Sequence, residues 1–204
     1  MSPEQIARLF TRPDGSYAFA RWGRPIVPVV FGVQDEALAL VKGAIEAVVT
    51  LAGHRMAETD LELGANVMLF FLRDWDELLA VRDLDHLLPG LDTLVPRLQA
   101  QGASQYRAFR FDEAGGIKAA FAFVRMDAAM IELPAGDLAL MQAVQLILLW
   151  AEGALRAQPP LARAEGVAVL RPDFAALIAA AYDRMMPVAA GDSSHALRLA
   201  ARVR

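Results

Sequence analysis

Apolar and polar positions along this chain repeat with two periods, and the switches between them mark its elements. Residues 1–24 are polar and irregular, apart from a short helix over Pro3–Phe10 and turn chemistry at Arg12-Pro13-Asp14-Gly15-Ser16. Pro25–Gly32 reads as a strand, and Pro28 within it lacks a ladder donor, which predicts an edge or only half-paired position. Leu38, Val41, Ile45, Val48 and Val49 recur at helical spacing, so a helix is predicted over Glu36–Ala52, capped by Asp35 and stopped by Gly53. His54–Thr59 reads as a further short strand. Asn66–Leu72 is an almost continuous apolar run of strand length, as expected for a strand covered on both faces. Asp74 with Glu77 has the spacing of a capping box. A helical stretch follows to Leu98, broken near Pro89-Gly90 and Pro96.

Ser104–Phe111 and Ile117–Met126 flank Asp112–Gly116 and predict a hairpin. Period two places Ile117, Ala119, Phe121 and Phe123 on one face of its second strand. Leu138–Leu155, capped by Asp137, is apolar nearly all round and predicts a long buried helix. Ala157–Gly166, with Pro159-Pro160, reads as a linker. Pro172 suits the first position of a helix running to Met186, and Asp192 or Ser193 caps a last helix. This order predicts one α+β domain over 1–204, with an irregular segment at 1–24 and a helical segment at 157–204. Its small sheet, mostly antiparallel or mixed, packs against helices.

Composition narrows the chemistry. The chain is 56% apolar, which excludes a disordered tail. No cysteine is present, so thiol nucleophiles, disulfides and cysteine metal sites are out. A net charge of −4 is a poor footprint for nucleic acid. No apolar run reaches membrane-spanning length, and the N-terminus carries no export signal, so the expectation is a cytoplasmic protein. No cofactor motif appears.

His54, His86 and His195 lie too far apart in sequence for a local metal pair. Asp74–Glu77 fails the calcium-loop pattern, because Leu79 and Asp85 fall where glycine and glutamate are needed. Gly191–His195 lacks the strand and the second glycine of a nucleophile elbow. Two arginine groupings remain. Arg21 and Arg24 flank Trp22 and have the chemistry to grip a carboxylate or phosphate. Alternation sends Arg107 and Arg110 to opposite faces of their strand, where solvated guanidinium groups with packed stems are expected.

Three segments carry a family resemblance: Arg21-Trp22 with Pro25-Ile26, Ala65–Phe71, and Asp173-Phe174 with Leu177-Ile178, Ala180 and Tyr182-Asp183. In these the chain resembles uncharacterised alphaproteobacterial proteins with a zincin-like, metallopeptidase-type layout. The resemblance implies a helix after the hairpin bearing H-E-x-x-H. Laid on Met141–Gln145, that motif meets Met141, Gln142 and Gln145 instead, and an amide cannot act as the general base. A degenerate copy without catalytic zinc is what the resemblance then implies.

Gln142 and Gln145 need partners if buried, or else they line a cleft. Three functional readings follow. The first is a non-catalytic domain acting through a protein partner or as a homo-oligomer. The second is a binder or hydrolase of small anionic ligands using Arg21 and Arg24, with Trp22, Gln142 and Gln145 as further candidate contacts. The third is a cryptic zinc peptidase whose distant histidines converge.

Overall fold

The computed structural model describes residues 1–203. Ser2 and Gln5 exchange side-chain and backbone hydrogen bonds in a capping box that starts α1 (Pro3–Phe10). Two short extended pieces follow, β1 (Phe19–Ala20) and β2 (Pro28–Phe31). Helix α2 (Asp35–Leu51) leads to β3 (Val67–Leu72). Asp74 and Glu77 form the expected box, which opens a 3-10 helix over Trp75–Ala80. Next come α3 (Leu84–Leu87) and α4 (Leu91–Ala100), separated at Pro89-Gly90. Pro96 lies inside α4 without ending it.

The hairpin pairs β4 (Gln105–Phe111) with β5 (Ile117–Arg125). Beyond it lie α5 (Ala128–Ile131), α6 (Ala135–Ile147) and α7 (Ala154–Ala157). A second hairpin, β6 (Leu161–Ala164) and β7 (Val167–Leu170), precedes α8 (Pro172–Ala181), β8 (Ala189–Ala190) and α9 (Ser194–Ala200).

The main sheet has four strands in the order β2-β3-β5-β4. β2, β3 and β5 run parallel, and β4 is antiparallel to β5, so the α+β architecture is built on a mixed sheet. β2 takes an edge, where the missing donor of Pro28 costs no central ladder bond. β3 is central and buried over nearly its whole length. Helices cover both faces. One core joins α1, α2, α6, α8 and α9 to the sheet through residues such as Val48, Leu69, Val144 and Phe174. The other packs the 3-10 helix, α3 and α4 against Phe70, Phe121 and Phe123.

Five expectations are corrected. The long helix does not reach Leu155. α6 stops at Ile147 because residues 148–151 become extended and bind the N-terminal segment: Leu148 bridges Arg21, Leu149 N–H donates to Ala20 O at 2.9 Å, and Ala151 N–H donates to Leu9 O at 2.9 Å. The linker reading of 157–166 also fails. Glu165 (φ 50°) and Gly166 (φ 83°) form a two-residue turn with both φ positive, which matches the twist of the β6–β7 hairpin. α8 ends at Ala181 rather than Met186, and β8 then pairs with β1. Finally, Ile117 does not share a face with Ala119, Phe121 and Phe123. The register shifts between Arg110 and Phe111, so Lys118 is the extra residue and Ile117 turns to the α6 side. The strand expected at His54–Thr59 is reduced to one bridge between Ile26 and Met56.

Candidate functional site

β4 is the second edge of the main sheet, and its alternation divides its side chains cleanly. Tyr106 and Ala108 pack with the 3-10 helix and α4, whereas Phe109 packs on the α6 side. Gln105 and Arg107 share that second face. The residues across from them on β5 are Val124 and Ala122, and the small alanine beside Arg107 leaves the guanidinium room to reach α6. There Arg107 Nη2 donates to Gln142 Oε1 at 2.9 Å and also to Gln105 Oε1. Gln142 Nε2 donates to Gln105 Oε1 at 3.2 Å and closes the triangle. Gln142 is fully buried, and these contacts satisfy it.

The triangle backs onto a cavity of about 1330 Å³. Its walls are β4, α6, the 149–156 segment, the loop after α4 and the β6–β7 hairpin. Arg107 and Gln145 face into it, and Arg97, Arg156 and Arg163 lie around it, against the acids Asp137 and Glu152. Arg163 Nη2 donates to Asp137 Oδ2 at 2.7 Å and ties the hairpin to the first turn of α6. Arg107 has no carboxylate partner among the described residues. Its Nε and the Oε1 of Gln145 are buried without a hydrogen-bond partner. Burial lowers the Arg107 pKa to about 10, which still leaves it cationic at neutral pH. Both groups of this site therefore retain bonding capacity, and the positive charge has no internal counter-ion.

The other candidate residues are placed elsewhere. Trp22 is fully buried and its Nε1 donates to Leu146 O at 2.8 Å, fixing the C-terminal end of α6. Arg21 donates to Met186 O at 3.0 Å and Trp22 O at 3.2 Å, with its guanidinium 5.2 Å from the Tyr182 ring centroid. Burial lowers its pKa. Arg24 turns to Asp60 (3.6 Å) and Glu62 (3.2 Å). Arg21 and Arg24 thus bind different partners rather than one shared point. Asp60 in turn accepts from Asn66 Nδ2, whose Oδ1 accepts from Val27 N–H, so Arg24 belongs to the network that anchors β2 to β3.

The histidines also stay apart. His54 Nε2 hydrogen-bonds Arg24 O at 2.8 Å, His86 is exposed beside Asp83, and His195 is buried against Tyr17. Among the described residues, no group of three His, Asp or Glu side chains is placed to hold a metal ion. No described helix is long and apolar enough to cross a membrane.

Sequence reasoning placed Gln142 and Gln145 correctly as the polar members of an apolar helix. Arg107, expected as a solvated arginine, is instead held against Gln105 and Gln142. The available signal was the alternation Gln105-Arg107-Phe109 opposite Val124, Ala122 and Ala120. That pattern puts one cation and one amide on a face otherwise built for packing. Compared with known proteins, the chain matches no family model, no curated protein and no solved structure.

Proposed function

We propose that this protein binds a small organic anion in the cavity between β4 and α6. One observation carries the reading: Arg107 is held at the cavity wall by two amide oxygens and lacks a carboxylate among the described residues. Neutral oxygens orient a guanidinium without cancelling its charge, so the field of Arg107 remains available to a ligand. Gln145 adds an amide on the same wall; its Oε1 is the buried atom, which leaves the NH₂ free to donate to an acceptor in the cavity. The surrounding arginines outnumber the acids, which favours anion entry. This keeps the anion-binding class, the second of the three readings drawn from sequence, and moves its centre from Arg21 and Arg24 to Arg107.

Thermal denaturation in a series of small anions tests the proposal. Acetate or inorganic phosphate is expected to raise the melting temperature in a saturable manner, whereas chloride at matched ionic strength is not. A charge-assisted hydrogen bond is worth about 1.5–3 kcal/mol, so Arg107→Gln should weaken binding by about ten- to hundredfold. Equal stabilisation of wild type and Arg107→Gln would refute it.

A separate observation favours an interaction surface as a second reading. Ile131, Leu133, Val167 and Val169 stand exposed on segments flanking α6. Light scattering across a concentration series would show concentration-dependent association if they serve a second copy, and a constant monomer mass would count against it.

A further inference from the structure

The cavity is lined by both polar and apolar side chains. The β4 side and the middle of α6 supply Arg107, Gln105 and Gln145. Leu138, Met141, Leu149, Trp150, Leu155 and Leu161, from α6, the 149–156 segment, α7 and β6, supply much of the apolar lining. An apolar ligand body laid along these side chains takes hydrocarbon out of water on both partners. The volume of about 1330 Å³ also exceeds what a two- or three-carbon acid fills. Trp150 is fixed rather than free. Its Nε1 donates to Val144 O at 2.7 Å, and its ring stacks on Phe10 at 5.4 Å, so the indole forms a rigid apolar wall. Met141 adds a polarizable, adaptable surface suited to a flexible chain.

We infer that the ligand is an amphiphilic carboxylic acid: a single anionic head at Arg107 and Gln145, and an extended aliphatic body along the Leu138–Met141–Trp150–Leu161 wall. The inference rests on the anion reading above and adds the class of ligand. The head interacts with the Arg107 guanidinium and the Gln145 amide. The body replaces water along these apolar side chains. Each methylene removed from water is worth about fourfold in affinity, so chain length and not charge alone sets the binding strength.

Isothermal titration of the full chain with acetate, octanoate and dodecanoate tests this, with dodecyltrimethylammonium as a probe of the same tail and opposite charge. Dodecanoate is expected to bind at least about a hundredfold more tightly than acetate, with octanoate between them. Arg107→Gln should weaken dodecanoate about tenfold or more. Met141→Gln should weaken dodecanoate by a larger factor than it weakens acetate. The ammonium amphiphile should not displace dodecanoate. Gln145→Leu provides a second head-group variant if Arg107→Gln fails to fold, as judged by its circular dichroism melt.

Acetate and dodecanoate binding with equal affinity, both lost in Arg107→Gln, would overturn the amphiphile inference and leave the anion reading intact. Dodecanoate binding that survives in Arg107→Gln, or that yields to the ammonium probe, would overturn the placement of the head. No binding of acetate, phosphate or dodecanoate would overturn both readings together.

Discussion

Buried His195 makes the stability of this fold depend on pH in a window that the carboxylates leave clear. Its ring is 3% exposed, its Nδ1 lies 2.8 Å from the Tyr17 hydroxyl, and its Nε2 has no partner. Burial, and secondarily the positive charge of Arg198, lower its pKa from 6.5 to about 4. Between those values the unfolded chain takes up a proton that the folded chain refuses. Stability therefore falls as pH drops from about 6.5 toward 4, and this contribution is constant below. The full difference is an upper bound of about 3 kcal/mol, of which about 2 kcal/mol is lost between pH 7.5 and pH 5. Asp60, Glu62 and Asp127 have lowered pKa values, so their losses come at more acid pH. His54 is also lowered, chiefly by burial, and titrates in the same direction, so the comparison must be made against a variant. His195→Gln preserves an acceptor for Tyr17 and removes the titration. Urea unfolding at half-unit steps from pH 7.5 to 5 should show wild type losing about 2 kcal/mol more than His195→Gln. Identical pH slopes for the two proteins would refute the reasoning.

Four further substitutions probe the scaffold. Asn66→Leu removes bonds to Val27 N–H, Pro25 O and Asp60 Oδ2 at one buried point and should cost about 3 kcal/mol in urea unfolding. Gly32→Ala places a Cβ 2.0 Å from Phe71 O at φ +79°, whereas Gly15→Ala at φ +85° meets nothing within 4 Å. Gly15→Ala should cost about 1–2 kcal/mol from its backbone alone, and Gly32→Ala clearly more, by comparison of melting midpoints. Trp22→Phe leaves Leu146 O without its donor and should destabilise by about 1–2 kcal/mol in the same assay, because α6 loses its C-terminal anchor.

Local chemistry was readable where the chain solves its own problem. α1 over Pro3–Phe10, the Asp74–Glu77 box and the edge position of Pro28 all follow from the properties of a few neighbouring residues. The central position of Asn66–Leu72 follows from an apolar run that must be covered on both faces. Long-range pairing was not readable in the same way. Nothing local in Leu148–Ala151 shows that Ala20 and Leu9 will take its backbone donors, so helical apolar spacing alone overextends α6. The β6–β7 turn uses glutamate at a positive φ, a residue that does not advertise such a turn. The parallel order of β2, β3 and β5 depends on which helices cross which face, which no single segment encodes. The site followed the same division. Gln142 and Gln145 stood out as amides in an apolar helix, but the meeting of Gln142 with Arg107 requires a hairpin strand and a helix to be stacked face to face.

The central claim is that Arg107 is a cation kept free for a ligand. It is tested most directly by the side-chain nitrogen and proton resonances of the arginine guanidinium groups during titration with octanoate. The account predicts saturable shifts at Arg107 Nε and Nη while Arg21, bound to backbone carbonyls, stays unchanged. Arg107 resonances that remain still, while those of Arg21 or Arg24 move, would contradict it.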